Sequence, residues 1–467
     1  MTRAPWFPPV IAALASVLVY ANAGANGFVL DDRGIILQNP LVQEPWTAWR
    51  AFFSPYWPAE VGGGQYRPLG ILSFALDHAL AGNNATWFHL VNVAWHAAAA
   101  ALLAVLGVQL GGIAVGVVAG LLFAVHPVHV EAVANVVGRL ELMAATFGLA
   151  TLLLHRRRSP WAGVTFAAAL FSKEGAVVIP LLALLVDRLP GGSSRRVRPL
   201  FAAYAAVAIA WGTLMAVALR DSTLSTTSAV FMGLSAGERL LTVLSIVPHY
   251  ARLLLMPAQL SADYEPGVLE AVRTITPMVV AGASLTCLAG LALVRAWRRA
   301  PLVAVALGWG ILAIGPVSNV VLVTGVALAE RTLYLASAGV AIGLAWLATN
   351  AGVPGRLAPA LVALVVGAGA VRTWTRTPTW RDSRSFALQL LEDHPESYHG
   401  HWVAARVLRA AGNIPAAARE YQVAHSIYAG DLSMLREATE VAVLVGDGAG
   451  ATRFRAAADS VVVARAR

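Results

Sequence analysis

The chain has 467 residues, of which 58% are hydrophobic and 13% are charged. Soluble domains carry roughly 25% charged residues, so this composition excludes an ordinary soluble protein and indicates a polytopic membrane protein. The net charge of +9 does not indicate nucleic-acid binding, because the basic residues cluster in a few short loops. The single cysteine, Cys287, can form no internal disulfide and does not indicate a redox compartment.

Apolar runs long enough, or nearly long enough, to cross a bilayer recur along the chain. In chain order they are Val10–Ala25, Leu90–Leu110, Ile113–Val125, Ala132–Leu154, Ala176–Val186, Leu200–Leu219, Pro277–Val294, Leu302–Ile314, Leu333–Thr349 and Ala358–Ala370. Ala162–Phe171 is short, and Leu240–Leu255 is expected to be amphipathic or re-entrant. We therefore expect about eleven spans. The first run has no small-residue cleavage site before a soluble domain, which predicts a retained helix rather than a signal peptide.

The distribution of charge predicts the orientation. If the N-terminus is cytoplasmic and the spans alternate, three basic loops fall on the cytoplasmic side, as the positive-inside rule requires. These loops are HRRRS (His155–Ser159), DRLPGGSSRRVR (Asp187–Arg198) and RAWRRA (Arg295–Ala300). Acidic residues collect on the other side, namely Asp31, Asp32, Glu44, Glu60, Glu131, Glu174, Asp263, Glu265 and Glu330.

The sequence divides into two domains. Residues 1–370 form the predicted transmembrane domain, with a large first outer loop at 26–86 and a second at 220–276. Loops of this length are usually functional. Residues 371–467 are charged and alanine-rich, which predicts a soluble domain.

This C-terminal domain contains an internal repeat. GNIPAAAREYQVA begins at Gly412 and GDGAGATRFRAAA begins 34 residues later at Gly446. A period of 34 residues with small residues at helix contacts is typical of tetratricopeptide repeats, and generic helical hairpins are the alternative. Because two repeats bury little surface, we expect the preceding segment TWRDSRSFALQLLEDHP to add a helix.

Polar residues interrupt the apolar sequence HPVHVEAVANVVGRLELMAA, His126–Ala145. Pro127 suits the first turn of a helix, and Glu131 would then lie near the positive end of the helix dipole. A continuous helix would place Glu131, Asn135 and Arg139 on one stripe facing the bundle. Such residues either mark a functional pathway or join neighbouring helices by hydrogen bonds. His126 and His129 with Glu131 are also a candidate metal site, an alternative that the sequence leaves open.

Further charges are expected at the same outer face. Asp31 and Asp32 are adjacent, so their side chains diverge and at most one points into a site while the other caps or orients. Lys173 and Glu174 lie in a polar break between apolar runs, Glu330 and Arg331 begin a later span, and Arg67 lies in QYRPL. Three cations at the membrane surface suit a phosphate, and a carboxylate nearby can deprotonate an attacking hydroxyl. Ordinary solvated loop charges are the alternative.

Seven stretches together resemble the transmembrane and tetratricopeptide-repeat O-mannosyltransferases of the GT-C glycosyltransferase superfamily. In chain order they are FVLDDRGIILQNP, YRPLGILSFALDHAL with FHLVNVAWHA, HPVHVEAVANVVGRLELMAA, FSKEGAVVIPLLAL, LSADYEP, ERTLYLAS and the repeats. The family pattern KEQG reads KEG here, and the repeat array is shorter than in eukaryotic members.

The resemblance implies an all-α GT-C-like bundle that transfers a sugar, expected to be mannose, from a polyprenyl-phosphate carrier to a protein hydroxyl. It implies that the first-loop acidic pair holds the catalytic base, with Asp32 favoured over Asp31, and that Glu131 lines the site. It also implies that Lys173 and Arg331, with Arg67, bind the donor phosphate. His126, His129, Arg139, Glu174 and Glu330 are expected to line the site. No cofactor is predicted, and the sequence leaves a divalent metal open.

We also expect a multi-pass protein of a bacterial inner membrane. If the span count is odd, the repeats are periplasmic and available to an acceptor protein. The abundance of Ala, Val, Arg and Gly indicates a GC-rich bacterial genome, for which the carrier is undecaprenyl phosphate. Three alternatives stay open: another donor sugar, a lipid or glycan acceptor, and a non-catalytic scaffold or transporter. A transporter is disfavoured because the chain shows no two matching halves.

Overall fold

The computed structural model describes residues 6–58, 64–189, 197–222, 227–350 and 357–466. These ranges contain helices and no β-strand, which confirms the all-α prediction. Glu60 and part of the predicted basic loop Asp187–Arg198 lie outside them. The α-helices are α1 (Phe7–Val19), α2 (Pro40–Gln43), α3 (Pro68–Ala81), α4 (Ala85–Gly111), α5 (Ile113–Ala124), α6 (Val130–Ala134), α7 (Arg139–Arg156), α8 (Trp161–Ser172), α9 (Ile179–Val186), α10 (Arg198–Ala218), α11 (Ala236–Leu255), α12 (Pro277–Arg299), α13 (Pro301–Ile314), α14 (Tyr334–Asn350), α15 (Leu357–Arg376), α16 (Ser383–Asp393), α17 (Tyr398–Ala410), α18 (Ile414–Ile427), α19 (Leu432–Leu444) and α20 (Gly448–Ala466).

The chain is a multi-pass integral membrane protein. Among the described residues, seven helical segments are long and apolar enough to cross a membrane: Phe7–Ala25, Ala85–Gly111, Val136–Arg156, Arg198–Ala218, Pro277–Arg299, Glu330–Asn350 and Leu357–Trp380. An eighth candidate is the pair Ile113–Ala124 and Pro127–Ala134, bent by 50°. Four shorter apolar helices are Pro68–Ala81, Trp161–Ser172, Glu174–Val186 and Pro301–Val317. The seven helices and the bent pair give eight candidates, so eleven spans would require three of these four shorter helices to cross the membrane. The number eleven therefore stays a prediction.

Small residues allow α4 and α5 to pack closely. A Cβ atom added to Gly107 would lie 2.9 Å from the Cα atom of Gly116. One added to Gly120 would lie 2.8 Å from the Cβ atom of Ala104. Contacts of this kind between small residues are the usual way in which membrane helices approach one another. They hold α5 against α4, and the chain continues from α5 to Glu131.

The predicted apolar run Ala132–Leu154 is not one helix. α6 ends one residue before Asn135, whose backbone is extended, and a short 3-10 turn ending at Gly138 precedes α7. A Cβ atom on Gly138 would lie 2.3 Å from a carbonyl oxygen of α6, so the turn requires glycine. The predicted single stripe is therefore wrong, because the break sends Glu131 and Arg139 into different surroundings.

The two long segments that the sequence predicts as outer loops, 26–86 and 220–276, fold beside the bundle. We call them the first and second outer segments. The first contains α2, a 3-10 helix (Pro45–Phe53) and α3, which pack around a small apolar core that includes Ile35, Ile36 and Phe74. The second contains α11. A capping box between Ser235 and Glu238 fixes the first turn of this helix. α11 is not among the candidate spans, which agrees with the expected amphipathic segment.

The C-terminal residues form the expected extra helix, α16, and then two helix pairs, α17–α18 and α19–α20. The turns within the two pairs contain Gly412 and Gly446, with φ of 77° and 76°, a left-handed conformation that suits glycine at a helix end. Ala417 and Ala451, 34 residues apart, are both buried where the helices meet. The interpretation of these pairs as tetratricopeptide-like repeats stays a prediction.

The C-terminal helices contact both outer segments. The backbone N–H of Gly27 donates to the carbonyl oxygen of Arg381 at 2.8 Å. In the second segment, a Cβ atom on Gly267 would lie 1.9 Å from the carbonyl oxygen of Glu396, and the φ of Gly267 is +97°. The C-terminal helices and the two outer segments therefore lie on the same side of the bundle.

Candidate functional site

The two adjacent carboxyls after α1 point in different directions. Asp32 is fully buried, and its two oxygens accept the backbone N–H groups of Val29 (3.1 Å) and Val137 (2.9 Å). Burial raises the pKa of Asp32 to about 7, although these two hydrogen bonds oppose the rise. Asp32 thus ties the start of the first outer segment to the turn before α7.

Asp31 is accessible to solvent. Protein atoms around its carboxyl nevertheless remove part of the hydration and raise its pKa above the ordinary value. The positive charges of Arg331, His399 and Arg67 oppose this rise, and the negative charge of Glu131 adds to it. Asp31 is therefore an accessible carboxyl that experiences charges from distant parts of the chain.

Three ion pairs accompany Asp31: Arg67–Glu174, Lys173–Glu141 and Arg331–Glu131. The first two pairs are joined by Lys173 and Glu174, which are neighbours in the chain, and the charge of Arg331 also acts on Lys173. We call Asp31 and these six residues the charge cluster. Each cation lies just before or at the start of a helix.

The three cations differ in their availability to a ligand. The side chain of Arg331 is 28% exposed, compared with 11% for Arg67 and 10% for Lys173. Arg67 uses Nε (2.9 Å) and Nη2 (2.5 Å) to hold Glu174. Arg331 binds Glu131 through its backbone N–H (2.8 Å) and Nη1, while its Nε and Nη2 make no hydrogen bond within the described residues. Arg331 therefore has the free donors for an anion.

Arg139 lies outside the charge cluster. It is fully buried, and its guanidinium forms an ion pair with Asp77 at 2.5 Å. It also donates to the side chains of Asn92 (2.8 Å) and Ser73 (2.9 Å) and to the carbonyl oxygen of Phe88 (2.9 Å). This network joins α3, α4 and α7, so Arg139 is a structural residue in this fold.

The two histidines of the HPVH segment also have internal partners. Nε2 of His126 bonds the carbonyl oxygen of Leu254 at 3.1 Å, and its Nδ1 accepts a backbone N–H. His129 is fully buried and bonds the hydroxyl of Ser337 at 2.7 Å. No group of three or more His, Cys, Asp or Glu residues that could hold a metal is present in the described ranges.

Glu330 fixes the second outer segment. Its buried carboxylate accepts the backbone N–H of Ser261 (2.6 Å) and the hydroxyl of Tyr264 (2.9 Å). Both partners belong to LSADYEP, so Glu330 and its neighbour Arg331 connect this segment to the charge cluster.

Three residues near Asp31 were not predicted as site residues: Glu141, Asp263 and His399. Asp263 accepts from Nδ1 of His399 at 2.9 Å and from the hydroxyl of Ser397 at 2.7 Å. Burial lowers the pKa of His399, but the charge of Asp263 outweighs this effect and raises it to about 9. Asp263 lies in LSADYEP and Glu141 in the HPVH stretch, both family motifs, whereas nothing in the repeat sequence signals His399.

The fold and this cluster define a class of protein: a helical membrane protein with a cluster of acidic and basic residues and with C-terminal helices that contact its outer segments. A protein O-mannosyl-transferase of Caenorhabditis elegans, F38B6.6, is 27% identical over 423 residues, which cover 87% of this chain and 60% of that protein. Protein O-mannosyl-transferase Tmtc2 of Drosophila melanogaster is 37% identical over 297 residues, 56% of this chain and 31% of that protein. The human protein O-mannosyl-transferase TMTC3 is 27% identical over 423 residues, with coverages of 80% and 46%.

The chain is a homologue of the transmembrane and tetratricopeptide-repeat O-mannosyltransferases, and the resemblance predicted from its motifs is confirmed. It spans between 31% and 60% of the length of these three relatives. No family model and no solved structure matches the chain.

Proposed function

We propose that the chain is a membrane glycosyltransferase that moves a sugar from a polyprenyl-phosphate carrier to a protein hydroxyl on the non-cytoplasmic face. The observation that carries this proposal is the accessible carboxylate of Asp31 beside Arg331, a cation with free donors. The names of the relatives, protein O-mannosyl-transferases, support mannose as the sugar and protein as the acceptor.

In the proposed reaction Asp31 is the base. Its carboxylate takes the proton of the acceptor hydroxyl while the hydroxyl oxygen bonds to C1 of the sugar. The bond between C1 and the phosphate oxygen breaks, and its electron pair leaves with the polyprenyl phosphate. A carboxylate with a raised pKa is the stronger base, provided that it is ionised at the working pH. We favour Asp31 over Asp32, because both oxygens of Asp32 already accept backbone N–H groups.

The leaving phosphate needs a cation with hydrogen-bond donors that the fold does not use. Arg331 meets this need best, because Nε and Nη2 form the planar fork that binds phosphate bidentately. Glu131 orients Arg331 by holding its backbone N–H and Nη1. Lys173 adds positive charge, whereas Arg67 is held by Glu174 and contributes mainly through its charge.

The geometry of α7 supports an outer-face reaction. This helix begins at Arg139, beside the first outer segment, and ends at Arg156 in the basic loop HRRRS. Its 18 residues span about 27 Å, close to the thickness of the hydrocarbon core. The basic loop and the charge cluster therefore belong to opposite faces, as the positive-inside rule requires for a site on the non-cytoplasmic side. In a bacterium this is the periplasmic face of the inner membrane, and the prenyl chain lies between spans.

The direct test uses purified protein in lipid nanodiscs with radiolabelled polyprenyl-phosphate mannose. The acceptors are a serine- and threonine-containing peptide and a matched peptide with alanine at those positions. We expect label in the first peptide only. Polyprenyl-phosphate glucose, offered in parallel, tests the donor sugar. Absence of transfer from both donors to the hydroxyl peptide and to a mixed protein and lipid extract would contradict the proposed function.

A further inference from the structure

One side chain from the C-terminal helices is connected to the charge cluster by hydrogen bonds. His399, in the first turn of α17, bonds Asp263 at 2.9 Å. Asp263 lies in LSADYEP, whose residues on either side of it bond Glu330, the neighbour of Arg331. The positive charge of His399 accordingly lowers the pKa of Asp31, as that of Arg331 does. The C-terminal helices therefore contribute a charged side chain to the surroundings of Asp31.

Asp263 orients the ring of His399. One oxygen of its carboxylate accepts from Nδ1, and the other accepts from the hydroxyl of Ser397, which also caps α17. The side chain of His399 is 31% exposed, whereas that of Asp263 is 7% exposed. Nε2 of His399 makes no hydrogen bond within the described part of the chain. The fold thus holds one ring nitrogen and leaves the other available to a ligand.

The position of His399 indicates which substrate it meets. The donor's prenyl chain must remain in the bilayer, so its phosphate lies beside cations at the ends of apolar helices, such as Arg331 and Lys173. His399 lies on α17, which is not a candidate membrane span and follows the last of them, Leu357–Trp380. An acceptor protein approaches from outside the membrane.

We propose that His399 binds the acceptor: its Nε2–H donates a hydrogen bond to a backbone carbonyl oxygen of the acceptor segment and so positions the neighbouring hydroxyl beside Asp31. This inference rests on the proposed function and names the surface that holds its acceptor. Two further residues lie on the same face of α17 as His399. Trp402 stacks on His399 with ring centroids 5.7 Å apart, and Arg406 lies over Trp402 at 5.9 Å. Residues spaced in this way lie along one side of a helix, which suits an extended peptide.

Two conservative variants distinguish acceptor binding by Nε2 from a purely structural role through Nδ1. In His399→Asn the amide nitrogen takes the place of Nδ1 and retains the bond to Asp263, but no donor replaces Nε2. In His399→Gln the amide nitrogen takes the place of Nε2 instead. We expect His399→Asn to raise the KM for the acceptor peptide roughly tenfold, which corresponds to about 1.4 kcal/mol, because the variant loses one hydrogen bond from a charged donor. Its kcat at saturating acceptor and its KM for the donor should not change, and His399→Gln should recover part of the loss.

A purely structural role predicts the reverse order, with His399→Gln impaired and His399→Asn intact, and that result would overturn the inference. His401→Asn is the matched control. His401 is on the same helix, but both of its ring nitrogens have partners within the fold, Glu420 and the carbonyl oxygen of Pro395. Impairment of this control equal to that of His399→Asn would also count against the inference.

Peptide binding without turnover separates the two proposals. A fluorescent peptide rich in serine and threonine is titrated against wild type and His399→Asn in nanodiscs, and anisotropy reports binding. Weaker binding by the variant supports the role of His399 even if wild type transfers no sugar, in which case only the proposed function fails. Equal binding by both proteins, or none by wild type, overturns the inference even if transfer is observed.

Discussion

Asp31 and Asp32 are adjacent, yet the fold gives them opposite surroundings. The sequence predicted that they diverge, because neighbouring side chains cannot share one direction. It could not predict which carboxyl is buried, since this depends on the N–H of Val137, more than a hundred residues away. The motifs predicted Lys173 and Arg331 as cations of the site. Their pairing with Glu141 and Glu131 required the tertiary fold.

The fall of activity at low pH, which is the acid limb of the pH profile, should reflect protonation of Asp31. A base must be ionised, so activity should fall as the pH drops through the pKa of Asp31, which partial loss of hydration raises above that of an ordinary carboxyl. Arg331 is the largest influence in the opposite direction, so Arg331→Met should move the acid limb to higher pH. The measurement is kcat against pH at saturating donor, with the exposed Arg50→Met as control. An unchanged limb in Arg331→Met would show that the titrating group is not Asp31.

At the scale of elements, periodic apolar runs predicted most helices well. The break at Asn135 escaped prediction because the sequence on both sides is apolar, and a continuous helix satisfies the same pattern. The break is decisive for the site, since it separates Glu131, which reaches Arg331, from Arg139, which holds α3 and α4 to α7.

The Arg139 network should be essential for stability rather than for chemistry. Arg139→Met leaves Asp77 buried without its partner, and removal of one member of a buried pair costs about 3–5 kcal/mol. We expect a lower thermal unfolding midpoint in detergent, and partial recovery in Arg139→Met/Asp77→Asn. Arg50→Met, on an exposed turn, should unfold like wild type. Normal stability of Arg139→Met together with lost transfer would instead assign this arginine to the reaction.

At the scale of the whole molecule, the one-sided gathering of charges followed from chain order and the positive-inside rule. The contact between the second outer segment and the C-terminal helices could not be predicted, because neither sequence shows a pattern of charge or apolar residues that complements the other. Contacts such as Gly27 with Arg381 place the C-terminal helices on the side of Asp31. This arrangement requires an odd number of spans, as in the predicted eleven.

Cysteine labelling tests this arrangement in intact cells. In a Cys287→Ala background, single cysteines replace Arg33 in the first outer segment, Arg384 on α16 and Arg157 in the basic loop; all three positions are exposed. A membrane-impermeant maleimide should label the first two from the same side and should not label the third from that side. If the cysteines at 384 and 157 were labelled from the same side and the cysteine at 33 were not, the fold would be contradicted.

The most direct test of the whole account compares Asp31→Asn with Asp32→Asn. Both proteins are purified at a pH above 7, where Asp32 is ionised, and assayed for sugar transfer and for thermal unfolding. We predict that Asp31→Asn unfolds like wild type and transfers no sugar. Asp32→Asn should lose about 1–3 kcal/mol of stability, because its amide group cannot accept both backbone N–H groups, and should retain transfer in the folded fraction. Full transfer by Asp31→Asn, or loss of transfer by a normally stable Asp32→Asn, would contradict the account.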